Sequence, residues 1–321
     1  MIKYKSVTAF APATVANVSC GFDIMGFAIQ GCGDKATIVL AKDSGKEGCD
    51  DNQIAMSGKY AHLIPSQRDK NTAGVAVDAY LKATGNQNIK LSIALEKNLP
   101  LGSGMGSSAA SSVAAVFAVN VLLGNLLSVK ELIQFAMEGE RVACGAAHAD
   151  NAAPSLLGGF VLIRSYDPLD IIQVHCPDEL YCAVLHPHIE LNTSDARRVL
   201  KRDIPMRDVV KQCANAAGFM TGLLIADYDL LGRSVSDLLA EPKRTMLIPG
   251  FEQAKRAALD AGAIGCGISG SGPSIFALCK GESMALLIAE VIGRSFAEAG
   301  LLSEAFISPM NAPGALILER R

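Results

Sequence analysis

Apolar and polar residues alternate along residues 89–95, with Ile89, Leu91, Ile93 and Leu95 falling on one face. A period of two is that of a half-buried strand. The alternation stops at Pro100, and residues 109–123 are then rich in Ala, Val and Leu without a proline, which predicts a buried helix. Further strands are predicted at 7–10, 36–41, 171–174, 181–185 and 274–278, with a last one within 305–317. Helices are predicted at 73–84, 128–144, 250–261 and 284–299, the last amphipathic. The polar, glycine-containing stretch 43–51 reads as a hairpin tip, and Asp167-Pro168 and Cys176-Pro177-Asp178 as turns. Composition changes near Tyr166, so a domain boundary is placed at Pro168, dividing 1–167 from 168–321.

Between the strand at 89–95 and the helix after it stands Pro100-Leu101-Gly102-Ser103-Gly104-Met105-Gly106-Ser107-Ser108-Ala109-Ala110. Glycine has no Cβ, so backbone N–H groups can turn inward and approach a ligand closely. The helix that follows adds unpaired N–H groups and the positive end of its dipole, and together these suit phosphate. A Walker A loop needs lysine after its last glycine, where this chain has Ser107. A Rossmann fingerprint needs glycine at its sixth position, again Ser107 when counted from Gly102. Gly265-Cys266-Gly267-Ile268-Ser269-Gly270 fits G-x-G-x-x-G formally, but a predicted helix precedes it and a strand follows it. A dinucleotide site needs the reverse order.

The 321 residues suggest one large domain or two ordinary ones, and half of them are hydrophobic, enough for a substantial core. The net charge of −3, with no long charge run, points to neither nucleic acid nor an anionic membrane surface. Nine cysteines without a C-x-x-C pair fit reduced thiols, hence a cytoplasmic protein, better than a disulfide framework or a zinc site. The start Met1-Ile2-Lys3-Tyr4-Lys5 leads into no apolar leader core, and the apolar run near 112–127 is interrupted by Asn120, Gly124 and Asn125. His186-Pro187-His188 lacks a third ligand at sensible spacing and reads as incidental. A homodimer is compatible with the sequence but not required by it.

The pattern P-x-G-x-G-x-G-S-S-A-A resembles the nucleotide loop of the GHMP small-molecule kinases. Upstream, Pro12-Ala13-Thr14-Val15-Ala16-Asn17 leads to Gly21-Phe22-Asp23 and then Gly26 and Ala28. This is similar to the N-terminal signature of the homoserine kinases within that superfamily. Small residues around Asn17 and Asp23 imply a tightly packed loop with an amide and a carboxylate that need partners; loop bracing and helix capping are equally open for both on these residues alone. Gly265 to Pro273 resembles the third motif of the superfamily, a glycine-rich loop that closes on the first.

The resemblance covers nearly the whole chain. It implies an α+β two-domain fold, the first domain like domain 2 of ribosomal protein S5 and the second ferredoxin-like. It also implies ATP-dependent phosphorylation of the L-homoserine side-chain hydroxyl in threonine biosynthesis. In the nucleotide site it implicates the glycine loop from Pro100 to Ala110, Lys97, and Asn71 near the adenosine, where Asn71 is as readily a plain helix cap. Ser108 and Glu140 are implied as ligands of Mg²⁺, which takes oxygen donors and keeps several waters. Asn17, Asp23, His148, Thr193 and Gly270 are implied at the substrate, with Arg197 and Arg244 on its carboxylate, a task suited to the planar guanidinium fork. His148, Asp150 and Asn151 match the H-x-D-N segment at the family's active site. Asn151 is expected nearer the chemistry and Asp150 behind it, with Asp23 a further catalytic candidate. Two rivals are a kinase of another small alcohol and a non-catalytic sensor, the latter expected to lack the magnesium Ser or Glu.

Overall fold

The computed structural model describes residues 3–40, 52–145, 148–200 and 203–321. The hairpin tip expected at 43–51 lies outside them. The chain opens with two long antiparallel strands, β1 (Ser6–Ala16) and β2 (Met25–Leu40). Then follow β3 (Ala55–Ser57), α1 (Thr72–Ala83), β4 (Leu91–Glu96), α2 (Ser107–Leu122), α3 (Ile133–Cys144) and α4 (Ala149–Leu157). A hairpin of β5 (Phe160–Tyr166) and β6 (Leu169–Val174) completes this run. β1 and β2 exceed the strands expected at 7–10 and 36–41 because β1 is buried on both faces from Ala11 to Ala16, which erases the period of two. Pro12, Ala13 and Thr14 of the N-terminal signature are therefore strand residues, and the loop proper is Asn17 to Ile24.

The second half is β7 (Leu180–Pro187), α5 (Thr193–Arg198), α6 (Met206–Ile225), α7 (Tyr228–Ser234), α8 (Glu241–Arg244) and α9 (Phe251–Asp260). β8 (Gly265–Ile268), β9 (Ile275–Lys280), α10 (Glu282–Glu298), β10 (Ser303–Pro309) and β11 (Leu316–Arg320) follow. The order β10-β7-β9-β8, all antiparallel, with α9 and α10 packed on one face, is the ferredoxin-like arrangement. α6 had no counterpart in the sequence reading. Its buried side is short (Gln212, Phe219, Gly222, Leu223), while Met206, Val210, Leu224 and Ile225 are exposed, so its apolar period is blurred.

The boundary expected at Pro168 needs correction. It falls in the turn of the β5–β6 hairpin, and β5 pairs with β2, so both strands belong to the first sheet. The strand expected within 305–317 is two strands in two sheets: β10 pairs with β7, whereas β11 returns to β1. The first sheet thus runs β11-β1-β2-β4-β3, with β5 and β6 attached at β2. The halves also share a core. Phe27 stacks on Phe160 at 6.5 Å and meets Phe276 edge-on at 6.3 Å, while Phe160 stacks on Phe219 at 5.7 Å. Such aromatic contacts fix the two sheets against each other, and with them the cleft between their ends.

Candidate active site

A cleft of about 400 Å³ lies between the β4–α2 loop, the Asn17–Ile24 loop, the start of α4, and α5 with the β8–β9 turn. Gly102, Gly104 and Gly106 all have positive φ, at +57°, +74° and +65°, and they turn the loop so that α2 begins at its rim. The Ser269 hydroxyl donates to the carbonyl of Gly104 at 2.7 Å, and the N–H of Ser274 to that of Ser103 at 3.1 Å. A Cβ at Gly104 would lie 2.4 Å from the Ser269 carbonyl, so the third motif closes on the first only because glycine stands there.

From behind, the loop is held by a buried ion pair. Asp34 of β2 faces Lys97, whose ammonium also donates to the carbonyl of Ser107 at 2.6 Å and reaches the Ser111 hydroxyl at 3.0 Å. The other Asp34 oxygen accepts the N–H groups of Asn98 and Leu99 at 2.9 and 3.0 Å. At the far end of the cleft the Ser108 hydroxyl donates to Glu140 on α3. Burial pushes the Glu140 carboxyl up to about 7, against the lowering effects of that bond and of the Lys97 charge.

The opposite end carries the amino-acid-like groups. Asn17, Val18, Ser19 and Asp23 are non-glycine residues at positive φ, a conformation costing about 1–2 kcal/mol each. Strain of this kind persists where surroundings enforce it, commonly at sites. Asn17 accepts the N–H of Asp23 at 2.9 Å and donates to the Gly270 carbonyl at 2.8 Å. Arg197 donates to Asp23 Oδ1 at 2.8 Å, and His148 Nδ1 lies 3.6 Å from Asp23 Oδ2. Arg244, 3 % exposed, donates to the carbonyls of Ala196 and Gly270 at 3.2 and 2.9 Å. Burial, and next the Arg197 charge, lower its guanidinium to about 10. Asp150 sits in the first turn of α4, where Gly26 of β2 lets the helix approach: a Cβ there would lie 2.0 Å from the Asp150 carbonyl. Burial pushes the Asp150 carboxyl up to about 7, with Asp23 and Glu140 adding to the shift and Arg197 opposing it, and its Oδ1 is buried without a hydrogen-bond partner. Beside it, Asn151 Oδ1 accepts the Thr14 hydroxyl at 2.7 Å.

Residues 71–159 match the description "GHMP kinases N terminal domain" and residues 210–298 "GHMP kinases C terminal". The chain is 48 % identical to a homoserine kinase of Chlorobium phaeobacteroides over 98 % of its own length and all of that protein's. It is 47 % identical to the homoserine kinase of Chlorobaculum tepidum, covering 98 % of each. A crystal structure of homoserine kinase from Cytophaga hutchinsonii superposes with a TM-score of 0.92 at 47 % identity, covering 99 % of this chain and 98 % of that one. The chain belongs to the homoserine kinases of the GHMP superfamily.

Within this GHMP kinase the structure sorts the expected residues by what they can touch. Asn17, Asp23, Asn71, His148, Asp150, Asn151, Thr193, Arg197, Arg244 and Gly270 all line the one cleft, as do Ser108 and Glu140. In the glycine loop Leu101, Gly102, Ser103, Gly104, Gly106 and Ser107 line it too, whereas Pro100, Met105, Ala109 and Ala110 are buried and act through packing. Asn71 caps α1, accepting the N–H of Ala73 at 3.0 Å and donating to the Pro65 carbonyl at 2.8 Å. Lys97 also lines the cleft, and each of its three N–H donors has an acceptor inside the protein, so here it braces the loop. Asn17 likewise spends both ends of its amide on the protein. The sequence reading missed Asp34, which no motif marks. It also missed Tyr166, whose hydroxyl donates to the Asp23 carbonyl at 2.6 Å and accepts the N–H of Ala149 at 3.3 Å. Thr14 and Phe22 stood inside a quoted signature without a role.

Proposed function

We propose that this cleft transfers the γ-phosphoryl group of ATP to the side-chain hydroxyl of L-homoserine, giving ADP and O-phospho-L-homoserine for threonine biosynthesis. The carrying observation is that Arg197, Arg244 and Asp23 converge across one cavity from the glycine loop. A small zwitterionic alcohol satisfies both charge signs there, and an alcohol lacking either group leaves a buried charge unpaired. The loop N–H groups and the α2 N-terminus hold the triphosphate. The Thr193 hydroxyl, 3.3 Å from that of Ser271, stands beside the carboxylate end.

Ser108 and Glu140 fit a magnesium ion. Both are hard oxygen donors, they meet at the cleft wall, and Mg²⁺ on a nucleotide takes only one or two protein ligands. When bound, the ion neutralises triphosphate charge. Phosphoryl transfer passes through a loose transition state governed by position and electrostatics, so little is asked of a base. Asn151, fixed through Thr14 beside the loop, orients the hydroxyl. Asp150, poised near neutrality at the same wall, accepts its proton.

No helix among the described residues is long and apolar enough to cross a membrane. Cys20, Cys32, Cys176, Cys182, Cys213, Cys266 and Cys279 are free thiols, which agrees with a reducing compartment such as the cytoplasm, and burial raises Cys20, Cys176 and Cys266 to about 12, which makes them poor nucleophiles. ADP release with Mg-ATP and L-homoserine, L-serine, L-threonine or mevalonate tests the reading. Strong turnover of homoserine alone is expected. Turnover only of an alcohol without the amino-acid group discards the substrate assignment, and ATP binding without turnover favours a sensor.

A further inference from the structure

Two cations share the ring of Phe22. The guanidinium carbon of Arg197 lies 5.6 Å from the centroid of its ring and that of Arg244 lies 5.4 Å away, both within the range of a cation–π contact. The arginines come from α5 and from the end of α8, two elements separated in the chain. They also repel: the Arg197 charge is, after burial, the chief influence lowering Arg244. One bond ties Arg244 to the backbone beside Arg197, its Nε donating to the carbonyl of Ala196 on α5, but among the described residues no polar partner lies between the two guanidinium groups themselves. Arg197 is drawn to Asp23, Arg244 to two carbonyls, and Arg197 Nε is buried with no hydrogen-bond acceptor. The Phe22 ring is the group common to both. It offers electron-rich surface where an acceptor is missing, and it adds no negative charge to compete with an incoming carboxylate.

The ring is itself held. Asp23, next in the chain, is tied through its N–H to Asn17, its carbonyl to Tyr166 and its carboxylate to Arg197. Gly21 donates its N–H to the carbonyl of Asn17 at 2.8 Å, so Phe22 stands in a loop fixed on both sides.

We propose that Phe22 is a positioning residue that sets the two arginines at the spacing a substrate carboxylate bridges, and so biases the cleft toward amino-acid alcohols. The inference rests on the substrate reading above. Steady-state kinetics of Phe22→Leu and Phe22→Tyr test it. In Phe22→Leu, KM for L-homoserine is expected to rise about tenfold, the scale of one or two such contacts, while kcat and KM for ATP stay within about threefold. Phe22→Tyr keeps the π-face and is expected to restore KM for homoserine. The Ki of L-2-aminobutyrate, which carries the carboxylate and ammonium but no hydroxyl, is expected to rise with KM. A merely structural role would move kcat and KM for ATP alongside KM for homoserine, and that result overturns the inference. So does an unchanged KM, or a Phe22→Tyr variant as impaired as Phe22→Leu. Should Phe22→Leu fail to fold, Phe22→Met carries the same comparison, and failure of both to fold also overturns it. Absence of homoserine turnover by the unmodified enzyme would instead strike the substrate reading itself.

Discussion

Asp150 occupies a place that favours its neutral acid form. Its carboxyl is raised to about 7 from the ordinary 3.8, so between about pH 4 and 7 the folded protein holds a proton that the unfolded chain releases. The associated stability is fully present below pH 4 and is lost as pH rises through 7. Asp150→Asn removes that loss, so the melting temperature of the variant relative to the parent should climb from pH 5 to pH 8. Activity has the opposite requirement, because a proton acceptor works when ionised. At saturating Mg-ATP, kcat/KM for homoserine should rise through an apparent pKa near 7. Asp150→Asn should flatten that limb and lower the rate about 10²-fold, the lower end for general-base catalysis. A full rate with the limb intact would remove Asp150 from the proton transfer and leave this wall only the orienting contact of Asn151.

At the scale of elements, the phosphate loop is built from the back. Asp34 and Lys97 are a fully buried ion pair, with every strong partner position taken. Removing one charge from such a pair typically costs about 3–5 kcal/mol, since the other is left uncompensated. Asp34→Asn should therefore lower unfolding stability by that order in urea and raise KM for ATP, because Lys97 then loses the anchor from which it holds the Ser107 carbonyl. Asp34→Asn with Lys97→Met should recover part of the stability. The glycine loop itself was legible, since alternating glycines before two serines require a particular backbone. So were most helices and the strand feeding the loop. The brace was not. Asp34 lies 63 positions from Lys97 in a strand with no motif of its own, and only the pairing of β2 with β4 brings them together. Phe22 illustrates the reverse case: its position was visible, but its work depends on two arginines supplied by separate distant helices.

For the whole molecule, the two halves implied by the sequence exist, but the cut between them does not follow chain order. Patterning along a chain marks strands and turns and carries no information on which sheet a strand joins, so β6 and β11 were assigned to the wrong half. The register of β11 on β1, from Val7 opposite Arg320 to Phe10 opposite Leu316, covers the outer side of β1 with a short strand. Ending the chain after Ala315 should lower the melting temperature by several degrees and cause concentration-dependent association. Calorimetry and light scattering would detect these, since an uncovered edge is a template for another strand. The same pairing has a temporal side. Nearly the entire chain separates β1 from its outer partner, and at about 5–20 residues per second a ribosome takes on the order of 15–60 s to add the intervening residues. For that interval the first strand made has its inner neighbour but not its outer one, so self-association through this edge is a hazard of the nascent chain, not of the finished enzyme.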